Sequence, residues 1–515
     1  MRLPTRMLDL GALVLGGLVV LPLLWLVWRG LSRPEEALLP VLQNNQTLRI
    51  TLRSALLATL VGGLCVAVAL PAAWLTHTTD MPGAKTFRWL LNLPLAVPSY
   101  VSGFVVVALA GPGGLVSLLT RALGLPPPAP WGPWTGTVLA LLWSWPMALL
   151  LLQAALRRLD PHTWEAARAL GSSPAQAFLR VVLPQLRPAM AGGFLLVALY
   201  VLSDFGAVSL MRFESLSYVI YVRYRGFVGR EEAIGLALLL SLLALLVVLG
   251  RRWLHGQHAA RSARQVGRPW PTITLGAWRW PAFLFCLGLA LYGVGLPLLV
   301  LLSWLVGFDQ ASVDLSPLST VARESMSVAV IAACVALVLA SFLAWQRRSG
   351  HPAIARATYL LVHAGYALPG IVVALALVGF SIRATPALYQ TTALLVFAYM
   401  VRFLPLALHA LMEGLDAQSP RLVEAAQTLG DSPWRAWWRV VLPNLLPACA
   451  AALIAVWISV LKELPATLLL SPPGFRSLAT RIWSLTEDAL YSAAALPILA
   501  LLALAVVGLL VQGRR

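Results

Sequence analysis

The sequence predicts an all-α polytopic membrane protein of about twelve transmembrane helices. They form two parallel six-helix repeats, each with a polar loop on the cytoplasmic side. Three observations lead there. Of 515 residues, 59% are hydrophobic and 11% charged, too little polar surface to cover a soluble globule. Apolar runs of about 20 residues, each long enough for a hydrocarbon core of roughly 30 Å, recur along the whole length. The stretch "EAARALGSSPAQAFLRVVLP" from Glu165 returns as "EAAQTLGDSPWRAWWRVVLP" from Glu424.

Helices are expected because backbone polar groups in lipid must be satisfied within the segment, and the alternation of a barrel strand is absent. Punctuation by Arg, Gly and Pro places spans near 9–28, 54–75, 89–110, 137–156, 189–210, 232–250, 280–306, 324–345, 357–380, 390–412, 448–470 and 489–511. The first span follows a basic start like that of a signal sequence. Its apolar run is too long for one and lacks an A-x-A cleavage pattern, so it is expected to be retained.

The formal charge of +18 sits mostly on Arg in short connections, which reads as membrane orientation and not as a nucleic-acid surface. Arg2, Arg6, Lys85, Arg88, Arg157, Arg158, Arg251, Arg252, Arg347, Arg348, Arg514 and Arg515 fall on one side if the N-terminus is cytoplasmic. The segment from Arg212 to Arg230 puts four Arg on the other side. The balance predicts both termini inside. Residues 251–279 hold six Arg and no acid. They read as a cytoplasmic basic linker between a first unit, 1–250, and a second, 280–515; an amphipathic helix lying on anionic lipid is compatible with that. Cys65, Cys286, Cys334 and Cys449 lie in apolar runs without CxxC spacing, and no His pair has metal-ligand spacing. Neither a metal site nor a bound cofactor is predicted.

The repeats are matched at three places in one order. The two EAA stretches lie 259 residues apart, and at that offset "DFGAVSL" from Asp204 faces "ELPATLL" from Glu463. "FESLSYVIY" from Phe213 then faces "FRSLATRIW" from Phe475. Six predicted spans separate the opening motifs, an even number, so both loops emerge on one side and the repeats are parallel.

Each loop has a helix-turn-helix grammar. Asp160 caps and Pro161 opens a short helix holding Glu165, Ala166 and Ala167, which Gly171 ends. Ser172 or Ser173 then caps a second helix opening at Pro174 and running to Pro184. The second copy has Ser419 and Pro420, then Glu424, Ala425, Ala426 and Gly430, then Asp431 or Ser432 with Pro433, closing at Pro443. Paired alanines let another surface approach closely, Glu supplies a fixed acceptor, and Gly permits the sharp reversal. The pattern suits a docking knob; an ordinary connector of good helix formers is the plainer alternative.

The spacing E-A-A-x3-G-x9-[IV]-x-L-P, at Glu165 to Pro184 and at Glu424 to Pro443, resembles the cytoplasmic loop of permease subunits of bacterial ATP-binding-cassette importers. The resemblance covers essentially the whole chain, as two permease units fused in tandem. It implies that each loop is a coupling helix seated in a groove of a cytoplasmic ATPase subunit. Two ATPase copies, a periplasmic substrate-binding protein and an inner-membrane location are therefore expected. The stretches "LPLAVPSYVSGFV" from Leu93, "LSDFGAVSL" from Leu202, "ALPGIVVALAL" from Ala367 and "KELPATLLLSPPGFRSLATRIW" from Lys462 are most similar to fused permeases for ferric iron. Fused thiamine and phosphonate-type permeases share the architecture. No GxxxxGK[ST] loop is present, so the chain is not expected to be an enzyme, and ATP and Mg belong to the partner ATPase. An ion-gradient-driven secondary transporter is the alternative of another class.

Candidate pathway or gate residues are Asp204 and Glu463, acids deep in predicted spans, with Ser99, Tyr100 and Pro369 near breaks in the third and ninth spans. The acids suit either transient hard-oxygen attraction for a ferric ion or capping and cross-helix bonding at a gate. Lys462 is placed to neutralise Glu463. Arg402 is expected to snorkel or pair across helices.

Overall fold

The computed structural model describes residues 5–111, 114–126, 131–226, 229–256, 270–306 and 316–513. The centre of the predicted linker, residues 257–269, lies outside them, as do Arg2, Arg514 and Arg515. The first repeat contains α1 (Arg6–Ser32), α2 (Asn45–Thr78), the pair α3 (Ala84–Ala96) and α4 (Ser99–Leu109), and α5 (Pro133–Leu156). After α6 (Pro161–Ala169) come α7 (Pro174–Ser203), α8 (Gly206–Leu210), α9 (Leu216–Arg225) and α10 (Arg230–Gly250). The second repeat follows the same order. It comprises α11 (Gly276–Leu305), α12 (Leu318–Ser349), the pair α13 (Pro352–Ala367) and α14 (Gly370–Ala384), and α15 (Thr392–Asp416). Then come α16 (Pro420–Thr428), α17 (Trp437–Leu461), α18 (Pro465–Leu470), α19 (Leu478–Glu487) and α20 (Tyr491–Val511).

Polar pairs sort the helix ends into two sets. At one end Arg29, late in α1, pairs with Glu231 at the start of α10, and Arg383, late in α14, reaches the same carboxylate at 3.5 Å. Arg53 in the early turns of α2 pairs with Glu214 at 2.6 Å. At the opposite end Asp9, early in α1, accepts from Gln346 Nε2 at 2.8 Å and from the His351 amide at 3.1 Å, gathering the close of α12 and the start of α13. Arg348 donates to the Leu415 carbonyl at 2.7 Å, adding the close of α15. Asp9 and Arg29 stand twenty residues apart on one helix, roughly 30 Å, the depth of a bilayer core.

Two predicted spans are not single helices. The α3–α4 pair bends by 93° and the α13–α14 pair by 104°. Pro98 and Pro369 cause the bends: proline cannot donate, and it forces the residue before it out of the helical region. Val97 and Leu368 are accordingly extended, with ψ of 113° and 130°. Each bent pair nevertheless crosses. The second begins beside Asp9 and ends beside Glu231. In the first, Arg88 donates to the Thr76 carbonyl at the close of α2, and Phe104 meets the ring of Tyr491 at the start of α20 at 5.9 Å. Counting each pair as one span gives twelve among the described residues, and the two polar loops leave the same end of the molecule.

Two further expectations are corrected. The spans predicted at 189–210 and 448–470 stop at Ser203 and Leu461, because Asp204 and Glu463 turn the chain into the separate short helices α8 and α18. Pro184 and Pro443 do not close helices. Wide turns at Phe178–Val182 and Trp437–Val441, in which Leu183 donates to the Phe178 carbonyl and Leu442 to the Trp437 carbonyl, carry the chain past each proline into the long helix. The wider turn makes room for the ring and the missing donor.

Duplication is visible in the closures at the end of the molecule that carries the Arg53–Glu214 pair. Ser54 Oγ accepts from the Leu216 amide at 2.9 Å, and Ser325 Oγ from the Leu478 amide at 2.7 Å. The neighbouring pair is reversed in charge: Arg53 faces Glu214 in one repeat, while Glu324 accepts from the Arg476 amide at 3.0 Å in the other. The described end of the linker straps back onto the first repeat. Ile273 donates to the Thr78 carbonyl at 2.8 Å and accepts from the Asp80 amide at 3.1 Å.

Candidate functional site

The two loops share one construction. Asp160 accepts from the His162 amide at 3.0 Å and starts α6. Ser419 occupies the matching position but accepts no side-chain cap bond. Gly171 and Gly430 end the short helices at φ of +86° and +96°, the left-handed region that glycine enters without strain. Of the alternatives for the second cap, Ser173 makes a reciprocal box with Gln176, and Ser432 accepts from the Arg435 amide at 3.3 Å. Glu165, Ala166, Glu424 and Ala425 are exposed, Ala167 is half-buried and Ala426 is buried. Trp164 turns inward, its ring 5.6 Å from Trp74 and 6.0 Å from Trp270 of the linker.

One feature of the loops went unselected from sequence. Leu170 and Leu429, each immediately before the turn glycine, are 87% and 89% exposed. Each loop thus holds one large apolar side chain in the open at the matched position. Their identity in both copies, EAARAL and EAAQTL, was the available signal.

Each loop continues without interruption into a long helix whose far end carries one of the buried acids. From Pro174 to Ser203 is 30 residues, roughly 45 Å of rigid rod. Asp204 Oδ2 accepts from the Ala207 and Val208 amides at 3.0 and 3.3 Å, capping α8, and Ser99 hydrogen-bonds the same carboxylate. Glu463 accepts from the Ala466 amide at 3.3 Å, capping α18, and pairs with Arg402 from α15. Both acids also sit at the N-termini of the broken spans. A Cβ on Gly206 would stand 2.7 Å from Ser99 Oγ, and one on Gly370 would stand 2.7 Å from Glu463 Oε1. Carboxylates at converging helix N-termini meet the positive ends of the helix dipoles.

Between the repeats these groups line a cavity of ≈ 270 Å³. Of the predicted pathway residues, Asp204, Glu463, Ser99 and Tyr100 line it, whereas Pro369 makes the bend without lining the space. Lys462 does not neutralise its neighbour: its Nζ donates to the Leu95 carbonyl at 2.9 Å, across to the broken span of the first repeat. Arg402 takes that role, paired across helices. Among the described residues no three His, Cys, Asp or Glu side chains gather as a metal-ion group.

Two parallel bundles, each bent at its third span around a shared polar cavity, define a multi-pass membrane permease. The chain belongs to the family of binding-protein-dependent transport system inner membrane components, whose profile matches residues 81–262 and 336–514, once in each repeat. It is similar to an Fe(3+)-transport system permease protein of Haemophilus influenzae, 30% identical over 96% of this chain and 95% of the relative. A ferric transport system permease protein of Actinobacillus pleuropneumoniae is 24% identical over 89% of this chain and 70% of its own length. A sulfate transport system permease protein of Escherichia coli is 30% identical over 41% of this chain and 77% of the relative. The family and the apolar helices make this a multi-pass inner-membrane transport subunit.

Proposed function

We propose that this chain is the membrane subunit of an ATP-binding-cassette importer that moves ferric iron from a periplasmic binding protein to the cytoplasm. One observation carries the motor half of the reading: two exposed loops of matched construction leave one end of the molecule, each fused to a long helix that ends at the cavity. Two copies of a separate ATPase would dock there, one per loop, which makes that end cytoplasmic and places both termini, and the linker 251–279, inside. Closure of the ATPases draws the loops together. The rods α7 and α17 carry that movement to Asp204 and Glu463, where the capped kinks open the cavity outward to the binding protein. Hydrolysis resets the bundles.

The ferric half rests on the two ferric transport permeases that match over 96% and 89% of the chain. The cavity's modest size and neutral lining suit a conduit that leaves affinity to the binding protein, since a pathway must release what it takes. Reconstituting the chain with its ATPase and binding protein in vesicles, and following radio-iron, tests both halves. Iron uptake without ATPase or ATP would sink the importer, and ATP-driven uptake of sulfate with iron excluded would replace the substrate.

A further inference from the structure

The two docking loops are not braced alike. Trp164, immediately before Glu165 in α6, is 5% exposed. Its ring lies 5.6 Å from Trp74 of α2 and 6.0 Å from Trp270 of the linker, and Trp74 and Trp270 meet each other edge-on at 6.0 Å. Each indole therefore touches the other two. Trp74 also reaches Phe178, in the wide turn after α6, at 4.7 Å. Aromatic contacts of this kind add to the burial of the rings themselves, so α2, the first loop and the linker are joined in one cluster.

The backbone fixes the linker where the cluster needs it. Ile273 donates to the Thr78 carbonyl at 2.8 Å and accepts from the Asp80 amide at 3.1 Å, and the Leu275 amide donates to Asp80 Oδ1 at 2.8 Å. These bonds hold the chain on the close of α2, just upstream of α11, and thereby set the position of Trp270.

The second repeat has no such cluster at the matched positions. Ser54 and Ser325, matched by their closures, lie 271 residues apart, and that offset also carries Thr78, the last residue of α2, onto Ser349, the last of α12. It carries Trp74 onto Trp345, which is 46% exposed. Trp164 becomes Val423, a half-buried residue with no ring. The corner after α12 is held instead by the Asp9 carboxylate of α1, which accepts from the His351 amide at 3.1 Å.

We infer that the end of the linker is a strap that stiffens the first docking loop against α2, so that the two loops meet their partners with unequal rigidity. A loop opens locally at a free energy set by the contacts it must break, and α6 must break the indole cluster while α16 has no counterpart to it. The consequence for transport rests on the docking reading above. An ATPase pulling on α6 works against a braced lever, and without the strap part of its stroke is absorbed in bending the loop.

Hydrogen exchange on the full chain in lipid nanodiscs, together with coupled transport, tests this. In the parent, α6 amides should exchange more slowly than α16 amides once intrinsic rates are divided out. Trp270→Ala should raise exchange in α6 about tenfold, as should Trp164→Val, which gives the first loop the residue of the second; α16 should keep its parent rate in both. In vesicles holding the chain, both ATPase copies and the binding protein, radio-iron moved per ATP hydrolysed should fall in Trp270→Ala and stay at the parent level in Trp345→Ala. A parent whose α6 is no better protected than its α16 overturns the inference, and that comparison needs no variant. So does Trp270→Ala with α6 at the parent rate, or with α6 loosened and iron per ATP unchanged. A parent that takes up no iron with ATP overturns the importer reading instead, and the strap is then judged on exchange alone.

Discussion

Replacing Leu170 and Leu429 with Ala tests docking most directly. The two side chains are 87% and 89% exposed, so truncation removes almost no internal packing. Each residue is the last before a helix-ending turn, Leu170 at φ −79°, ψ 10° and Leu429 at φ −80°, ψ 3°, a negative-φ conformation open to alanine. The fold should therefore shift by no more than about 0.5 kcal/mol. If each leucine is covered by an ATPase, truncation forfeits about 2 kcal/mol of apolar burial per loop. That is roughly 30-fold in docking affinity for either single variant. The assay is binding of labelled ATPase to the chain in lipid nanodiscs, alongside ATP-driven uptake and thermal unfolding of the chain alone. Weaker docking at unchanged unfolding temperature is expected. A double variant that binds ATPase like the parent would refute the argument that these exposed leucines mark the motor's seat.

Other outcomes follow from the same geometry. Alanine at Gly171 or Gly430 meets no atom within 4 Å, so its cost is the positive φ alone, about 1–2 kcal/mol. Hydrogen exchange should rise in the affected loop and stay unchanged in the bundles, and a leucine there should cost no more than alanine. Arg402→Met strands the buried Glu463 carboxylate, a loss of about 3–5 kcal/mol, and Arg402→Met with Glu463→Gln should recover most of it in thermal unfolding of the purified chain. A Cβ at Gly206 would stand 2.7 Å from both Ser99 Oγ and the Tyr100 amide nitrogen. Gly206→Ala should therefore lower stability by about 1–3 kcal/mol and reduce uptake, whereas Gly63→Ala, with nothing within 4 Å, should do neither.

The docking loops were legible because their signals are local. Proline at the first helical position, a capping Ser or Asp and a glycine at the turn act within a few residues, and repetition at a constant offset separated them from chance. The missing Ser419 cap bond shows the limit, since residue type gives the capacity to cap without its geometry. Pro184 and Pro443 misled for a related reason. A proline marks a place where the regular ladder must change, and either a stop or a wide turn satisfies that demand; both loops take the wide turn. The acids were visible as acids, but Glu463 met Arg402 from 61 positions away in the chain, a pairing that no local pattern contains.

By itself the sequence determined the number of spans, their duplication and the shared side of the two loops. Hydrocarbon forces every backbone group to be satisfied within its own segment, which makes span counting a one-dimensional problem. Only the tertiary structure decided that the third span of each repeat bends by about a right angle, that each loop and its buried acid are two ends of one rod, and that Arg402 pairs with Glu463 while Lys462 reaches the first repeat. Those facts depend on which helices approach one another, and in a membrane such approaches are set by side-chain fit and polar pairing between distant segments.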